Sequence, residues 1–138
     1  MEDIKNRLAE LCEGIGVSLS EKQLAQFQRY MELLVEWNQK MNLTGIEDEK
    51  EVFIKHFLDS ISAVSKGYIK NGMSLIDVGT GAGFPGMPLR ISLPDLKVTL
   101  LDSLNKRINF LQEVANQIDI DDIEFIHGRA EDFGKDEN

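Results

Sequence analysis

Residues 75–86 read LIDVGTGAGFPG, an apolar strand that runs directly into a turn with four glycines in eight residues. Leu75, Ile76 and Val78 suit a strand, while Gly79, Gly81, Gly83 and Gly86 leave the main chain bare. Glycine belongs where a Cβ would block a ligand or where φ must be positive. Asp102 closes a second apolar strand, KVTLLD, 23 residues after Gly79. In a doubly wound nucleotide fold an acid at that place meets the ribose hydroxyls. The pair of features predicts a nucleoside-binding α/β unit; the plainer alternative is a glycine-rich turn without a ligand.

Two cofactor classes fit the spacing. Gly81, Gly83 and Gly86 satisfy the dinucleotide pattern GxGxxG, with an acid about 20 positions on. Gly79, Gly81 and Gly83 instead give DxGxGxG, headed by Asp77. That frame describes sites for S-adenosylmethionine, whose ammonium and sulfonium are cationic and which has no pyrophosphate. A carboxylate at Asp77 suits such a ligand and would repel a diphosphate. Pro85 and Pro88 also remove amide donors early in the next helix, where a dinucleotide site wants N–H groups aimed at phosphate. S-adenosylmethionine is the better fit. For Asp77 itself, tying down the glycine turn and touching the ligand are equally good readings.

The chain has 138 residues, enough for one modest core. Its single cysteine, Cys12, excludes an internal disulfide and points to a reducing, cytoplasmic setting. One cysteine and two histidines offer no metal-ligand cluster. The N-terminus MEDIKNR lacks the apolar run of a signal peptide, and no stretch approaches a membrane span. A net charge of −9 argues against nucleic-acid binding over the whole surface. Arg29, Lys40, Lys55, Arg90, Lys106, Arg107 and Arg129 form no dense run, so any RNA contact is local or comes from outside this chain.

The hydrophobic period divides the chain into a helical region, 1–70, and an α/β region, 71–138. Ile4, Leu8, Leu11 and Ile15 mark a first helix that Gly14 and Gly16 end. Ser20 with Gln23 forms a capping box for a second, whose stripe of Leu24, Phe27, Met31 and Leu34 carries it to about Asn38. A third runs from about Lys50 to Lys66, with Val52, Phe53, Phe57, Ile61 and Val64 inward and Gly67 past its end. Beyond Gly72, strands are predicted near 74–79, 97–102 and 123–127. Between them lie helices from Pro85 to about Leu93 and from Leu104 to about Gln117, the latter capped by Ser103. Such alternation with short connections implies parallel strands joined by right-handed crossovers.

Taken together, WNQKMNLT (37–44), HFLDS (56–60), DVGTGAGFPG (77–86), LLDSLNKRINFL (100–111) and GRAED (128–132) resemble the bacterial glucose-inhibited division protein B family. The resemblance covers nearly all of the chain. It implies a Rossmann-like S-adenosylmethionine-dependent methyltransferase fold preceded by a helical region. The implied activity is methyl transfer to guanine N7 of small-subunit (16S) ribosomal RNA, free or in the 30S subunit, leaving S-adenosylhomocysteine. By the same resemblance Gly79 and Phe84 lie against the methionine part and sulfonium. Asp102, Ser103 and Leu104 hold the ribose and flank the adenosine, and Ala130 and Glu131 frame the adenine.

No catalytic residue is expected. Guanine N7 carries a free lone pair at neutral pH, so its methylation needs positioning to about 3 Å rather than a general base. His56 and Asp59, one helical turn apart, read better as a packed, hydrogen-bonded pair than as a catalytic dyad. His127 reads as a polar strand end, Lys106 and Arg107 as a solvated face, and Asn42 and Thr44 as a turn. The sequence departs from the family in supplying only three strands of the sheet. With the usual order 3-2-1-4 the first strand would be central, yet its far edge has no partner here. An unpaired LIDV edge invites self-association, and the chain reads as a fragment of the enzyme or as a cofactor-binding remnant.

Overall fold

The structure, a computed structural model, describes residues 4–41, 49–129 and 131. Three helices come first: α1 (Ile4–Gly14), α2 (Glu21–Met41) and α3 (Glu49–Ser65). An alternating unit follows: β1 (Ser74–Val78), α4 (Gly86–Ser92), β2 (Lys97–Asp102), α5 (Asn105–Gln117) and β3 (Glu124–His127). All three strands are parallel in the order β1-β2-β3, with Leu75 opposite Val98 and Leu100 opposite Phe125. This is the α/β arrangement expected, a three-stranded piece of a Rossmann-like sheet behind a helical region.

Local chemistry explains the helix ends. The Ser20 amide donates to Gln23 Oε1 at 2.8 Å and the Gln23 amide donates to Ser20 Oγ at 3.1 Å. Each partner thus satisfies an N-terminal amide that the helix itself cannot. At the end of α1 the Cys12 carbonyl accepts from Ile15 and Val17, with Gly16 at φ +79° making the turn. Three expectations need correction. α2 runs on to Met41, because no glycine or proline interrupts it at Asn38. Leu11 sits 36% exposed at the rim of α1, whose buried face runs through Leu8 and Cys12. Ser103 makes no cap: Leu104 is the N-cap of α5, and Asp102 Oδ1 accepts from the Leu104 amide at 2.9 Å.

One hydrophobic core joins the two regions. Phe27, Tyr30, Leu34, Phe53, Phe57 and Ile61 from α2 and α3 meet Met87, Leu89 and Ile91 of α4 and Phe110, Leu111 and Val114 of α5. Trp37 packs on Phe110 with ring centroids 5.3 Å apart. Val98 and Leu100 enter this core from β2, whereas Ile76 and Val78 on the other side of the sheet stay exposed. The sheet is therefore covered on one face, and its glycine turn opens at the carboxyl ends of the strands.

Candidate functional site

The turn after β1 begins as Leu101 O accepts from the amides of Gly79 and Thr80, at 2.8 and 3.1 Å. These bonds anchor it to the end of β2. Asp77 then closes it from below. Its Oδ2 accepts from Thr80 Oγ1 at 2.7 Å and from the Gly86 amide at 3.0 Å. Burial raises the Asp77 carboxyl above the usual aspartate range; the bonds from Thr80 and Gly86 pull it down, and the nearby Asp102 pushes it up. In this structure Asp77 ties the two limbs of the turn together.

The four glycines divide by what a side chain would meet. At Gly79 (φ +69°) and Gly81 (φ +60°) an added Cβ would meet nothing within 4 Å. At Gly83 it would overlap the Tyr30 hydroxyl and lie 2.8 Å from Leu111 Cδ2. At Gly86 it would press against Leu100 and Asp77. The last two glycines thus allow helix and strand to approach, and only the first two leave main chain facing open space.

Asp102, 2% exposed, sits beneath that open stretch. Its Oδ2 accepts from the Gly81 amide at 2.9 Å, and Oδ1 accepts from Leu104. The carboxylate joins the glycine turn to the loop after β2. Arg107, expected on a solvated face, is half-buried with Nη1 3.7 Å from Asp102 Oδ2. Ser103 and Leu104 are exposed beside it. His127 Nε2 donates to Ser103 O at 3.1 Å, fixing this loop to the end of β3. Glu131 is exposed and pairs loosely with Arg129 at 3.8 Å. Ala130, Asn42 and Thr44 lie outside the described residues.

Phe84 turns toward the helical region instead of standing free. Its ring lies 5.9 Å from Phe57, 6.0 Å from Tyr30 and 6.2 Å from Phe53, measured between centroids. The ring of His56 stacks on it at 4.7 Å and 19°. Among the described residues no hydrogen bond joins His56 to Asp59; the aromatic stack replaces the expected pair. Tyr30 carries the tightest link from α2: its hydroxyl donates to Ala82 O at 2.6 Å. Full burial, with Asp77 nearby, raises the Tyr30 phenol far above its usual range, so it stays a donor. Sequence reasoning passed over Tyr30, although it lies three residues after Phe27 on the apolar stripe. The capping-box spacing marks Gln23 only as a cap, yet its Nε2 also donates to Ile91 O and Ser92 O at the end of α4.

Among the described residues no group of three or more His, Cys, Asp or Glu could hold a metal ion. No helix among them is long and apolar enough to cross a membrane. Cys12 is buried, which raises its thiol to about 11 and keeps it protonated.

Residues 23–138 match the family model described as GidB, rRNA small subunit methyltransferase G. The chain is 52% identical over 133 residues to the ribosomal RNA small subunit methyltransferase G of Alkaliphilus oremlandii, covering 96% of this chain and 56% of that protein. Against the protein of the same name from Streptococcus thermophilus it is 54% identical over 136 residues, covering 98% of this chain and 56% of the relative. For a Thermoanaerobacter species the figures are 58% over 137 residues, 96% and 57%. The chain spans a little over half the length of these relatives. The matched stretch takes in the acid-clasped glycine turn at the strand ends, and the chain belongs to the rRNA small subunit methyltransferase G family.

Proposed function

We propose that this chain is the cofactor-binding part of an S-adenosylmethionine-dependent methyltransferase acting on guanine N7 of small-subunit ribosomal RNA. One observation carries the cofactor half: main chain at Gly79 and Gly81 faces open space, with the Asp102 carboxylate directly beneath. The frame DxGxGxG uses Gly79, Gly81 and Gly83 and the frame GxGxxG uses Gly81, Gly83 and Gly86; protein fills the space at Gly83 and Gly86. Of the three glycines in the dinucleotide frame only Gly81 faces open space, against two of three, Gly79 and Gly81, in DxGxGxG. The open pair belongs to the frame DxGxGxG.

In this reading the bare turn at Gly79 and Gly81 receives the methionine and sulfonium end. Asp102, with Ser103 and Leu104, faces the ribose, and the adenine is assigned to Ala130 and Glu131. Bound there, the cofactor supplies a methyl group on a cationic sulfur. Asp77 holds the turn in shape and adds negative charge below it; Phe84, backed by His56, walls the side facing the helical region. Residues 71–138 form the ligand-binding unit and residues 1–70 brace it. None of these residues must take a proton from guanine N7, so the chain's task is to position and to exclude water. The partner is the small-subunit RNA or the 30S subunit, in the cytoplasm.

Titration with S-adenosylhomocysteine against NADH, read by fluorescence, tests the cofactor: saturation by the first alone is expected, and saturation by NADH alone would overturn the reading. Tritium transfer from methyl-labelled S-adenosylmethionine to naked or 30S-associated RNA tests the substrate. Label at guanine N7 is expected; cofactor binding without any transfer would reduce the function to that of a binding remnant.

A further inference from the structure

A column of rings runs from the core to the surface beside the glycine turn. Phe27 and Phe57 are fully buried, with centroids 5.0 Å apart. Phe57 lies 5.9 Å from the half-buried Phe84, and His56 stacks on Phe84 at 4.7 Å and 19°. His56 ends the column, and it is exposed. Phe84 covers one face of the imidazole and the exposure of the residue leaves the other uncovered.

The packing of α3 does not call for an imidazole there. Its buried face runs through Phe53, Phe57 and Ile61, and Ser60 Oγ donates to His56 O, which engages the main chain alone. The ring nitrogens of His56 have no hydrogen-bond partner among the described residues, whereas His127 is tied to Ser103 O. Lys55, its neighbour in the chain, is exposed and makes no ion pair among the described residues. An open ring face next to a cation suits an unpaired nucleotide, whose base stacks while its phosphate meets positive charge.

We infer that the open face of His56 is the stacking platform for the purine base that receives the methyl group. This rests on the proposed function and says where its substrate base sits. Phe84 comes three residues after Gly81, so the platform borders the open main chain assigned to the methionine end. A base laid on His56 is backed by Phe84 and then by buried Phe57, and is held by its face. Its edge carries no bond from the platform, which leaves the N7 lone pair free to approach the methyl carbon. Stacking rewards area and ignores ring substituents, so the platform favours purines over pyrimidines without telling guanine from adenine. The cofactor's own adenine is assigned elsewhere, past β3.

Because the chain has two histidines, imidazole proton NMR reads the platform directly. Guanosine 5′-monophosphate is titrated into the chain saturated with S-adenosylhomocysteine and, separately, into the chain alone. The His56 signals should move upfield under the ring current of the base, and those of His127 should stay in place. Uridine 5′-monophosphate should bind more weakly. His56→Phe identifies the signals by their loss and keeps a flat ring, so its affinity for the guanosine nucleotide, read from broadening of H8, should match the wild type. His56→Ala should weaken that affinity at least about fivefold, the smaller end of what stacking one base contributes; circular dichroism checks that both variants fold. His56 signals unmoved in both titrations would overturn the inference, as would a response to S-adenosylhomocysteine with no further response to the nucleotide. Equal affinity in His56→Ala would overturn it too. Failure of S-adenosylhomocysteine to bind would count against the cofactor assignment instead, and the titration of the chain alone would still decide the role of His56.

Discussion

Asp102 and Asp77 do different work with the same functional group. Asp102 accepts from two main-chain amides, Gly81 and Leu104, one on each oxygen. Asp102→Asn would turn an amide group toward one of those donors, leaving it unsatisfied. We predict a loss of about 1–3 kcal/mol of stability, measured by urea unfolding, together with weaker binding of S-adenosylhomocysteine. Asp77 accepts both of its bonds on Oδ2, so Asp77→Asn can keep them. What that variant removes is a titration. Burial raises the folded-state value above the ordinary 3.8, so the folded chain holds this proton to higher pH than the unfolded chain does. The linked stability is fully present below 3.8 and is lost as pH rises through the raised value. Wild type should therefore lose stability relative to Asp77→Asn across that window and then level off. A pH-independent difference between the two would contradict the burial argument. The glycines allow a similar separation. Gly81→Ala meets only an unfavourable φ, costing about 1–2 kcal/mol. Gly83→Ala must also displace Tyr30 and Leu111, and should cost about 3 kcal/mol in thermal or urea unfolding.

At the scale of elements, the turn is shaped by helices distant in sequence. Tyr30 of α2 donates to Ala82 O, and His56 of α3 backs Phe84. Tyr30→Phe leaves a buried carbonyl unpaired; we predict about 1–3 kcal/mol of destabilisation, with faster amide exchange at Ala82 and Gly83 as the check. Such links mark the boundary of what the residues alone disclose. The capping box at Ser20 and Gln23 was legible because both partners sit within one turn. So were the three strands, the parallel order and the crossover helices, because period and glycine spacing are local signals. The Tyr30 hydroxyl was not, since its partner lies 52 residues away and its stripe reads as ordinary core. Arg107 stays partly solvated while reaching toward Asp102, and the expected His56–Asp59 bond gave way to a tertiary neighbour, the ring of Phe84. Motif spacing marked the four glycines as a group but could not divide them into two facing space and two facing protein.

For the whole molecule, the chain spans a little over half the length of its relatives, and among the described residues Ile76 and Val78 on one face of its sheet and both edge strands, β1 and β3, lie open. The core that joins α2 and α3 to α4 and α5 lies on the covered face, away from Ile76 and Val78. The glycine turn is therefore held from the covered face, where Tyr30, Leu111 and Met87 close on Gly83. The most direct measurement is calorimetric titration of the 138-residue chain with S-adenosylhomocysteine, repeated on Gly81→Val. Saturable binding by the wild type, lost in a variant that still unfolds cooperatively, is the predicted result. Absence of binding to a folded wild-type chain, or equal binding by Gly81→Val, would contradict the claim that the open main chain at Gly79 and Gly81 receives the cofactor.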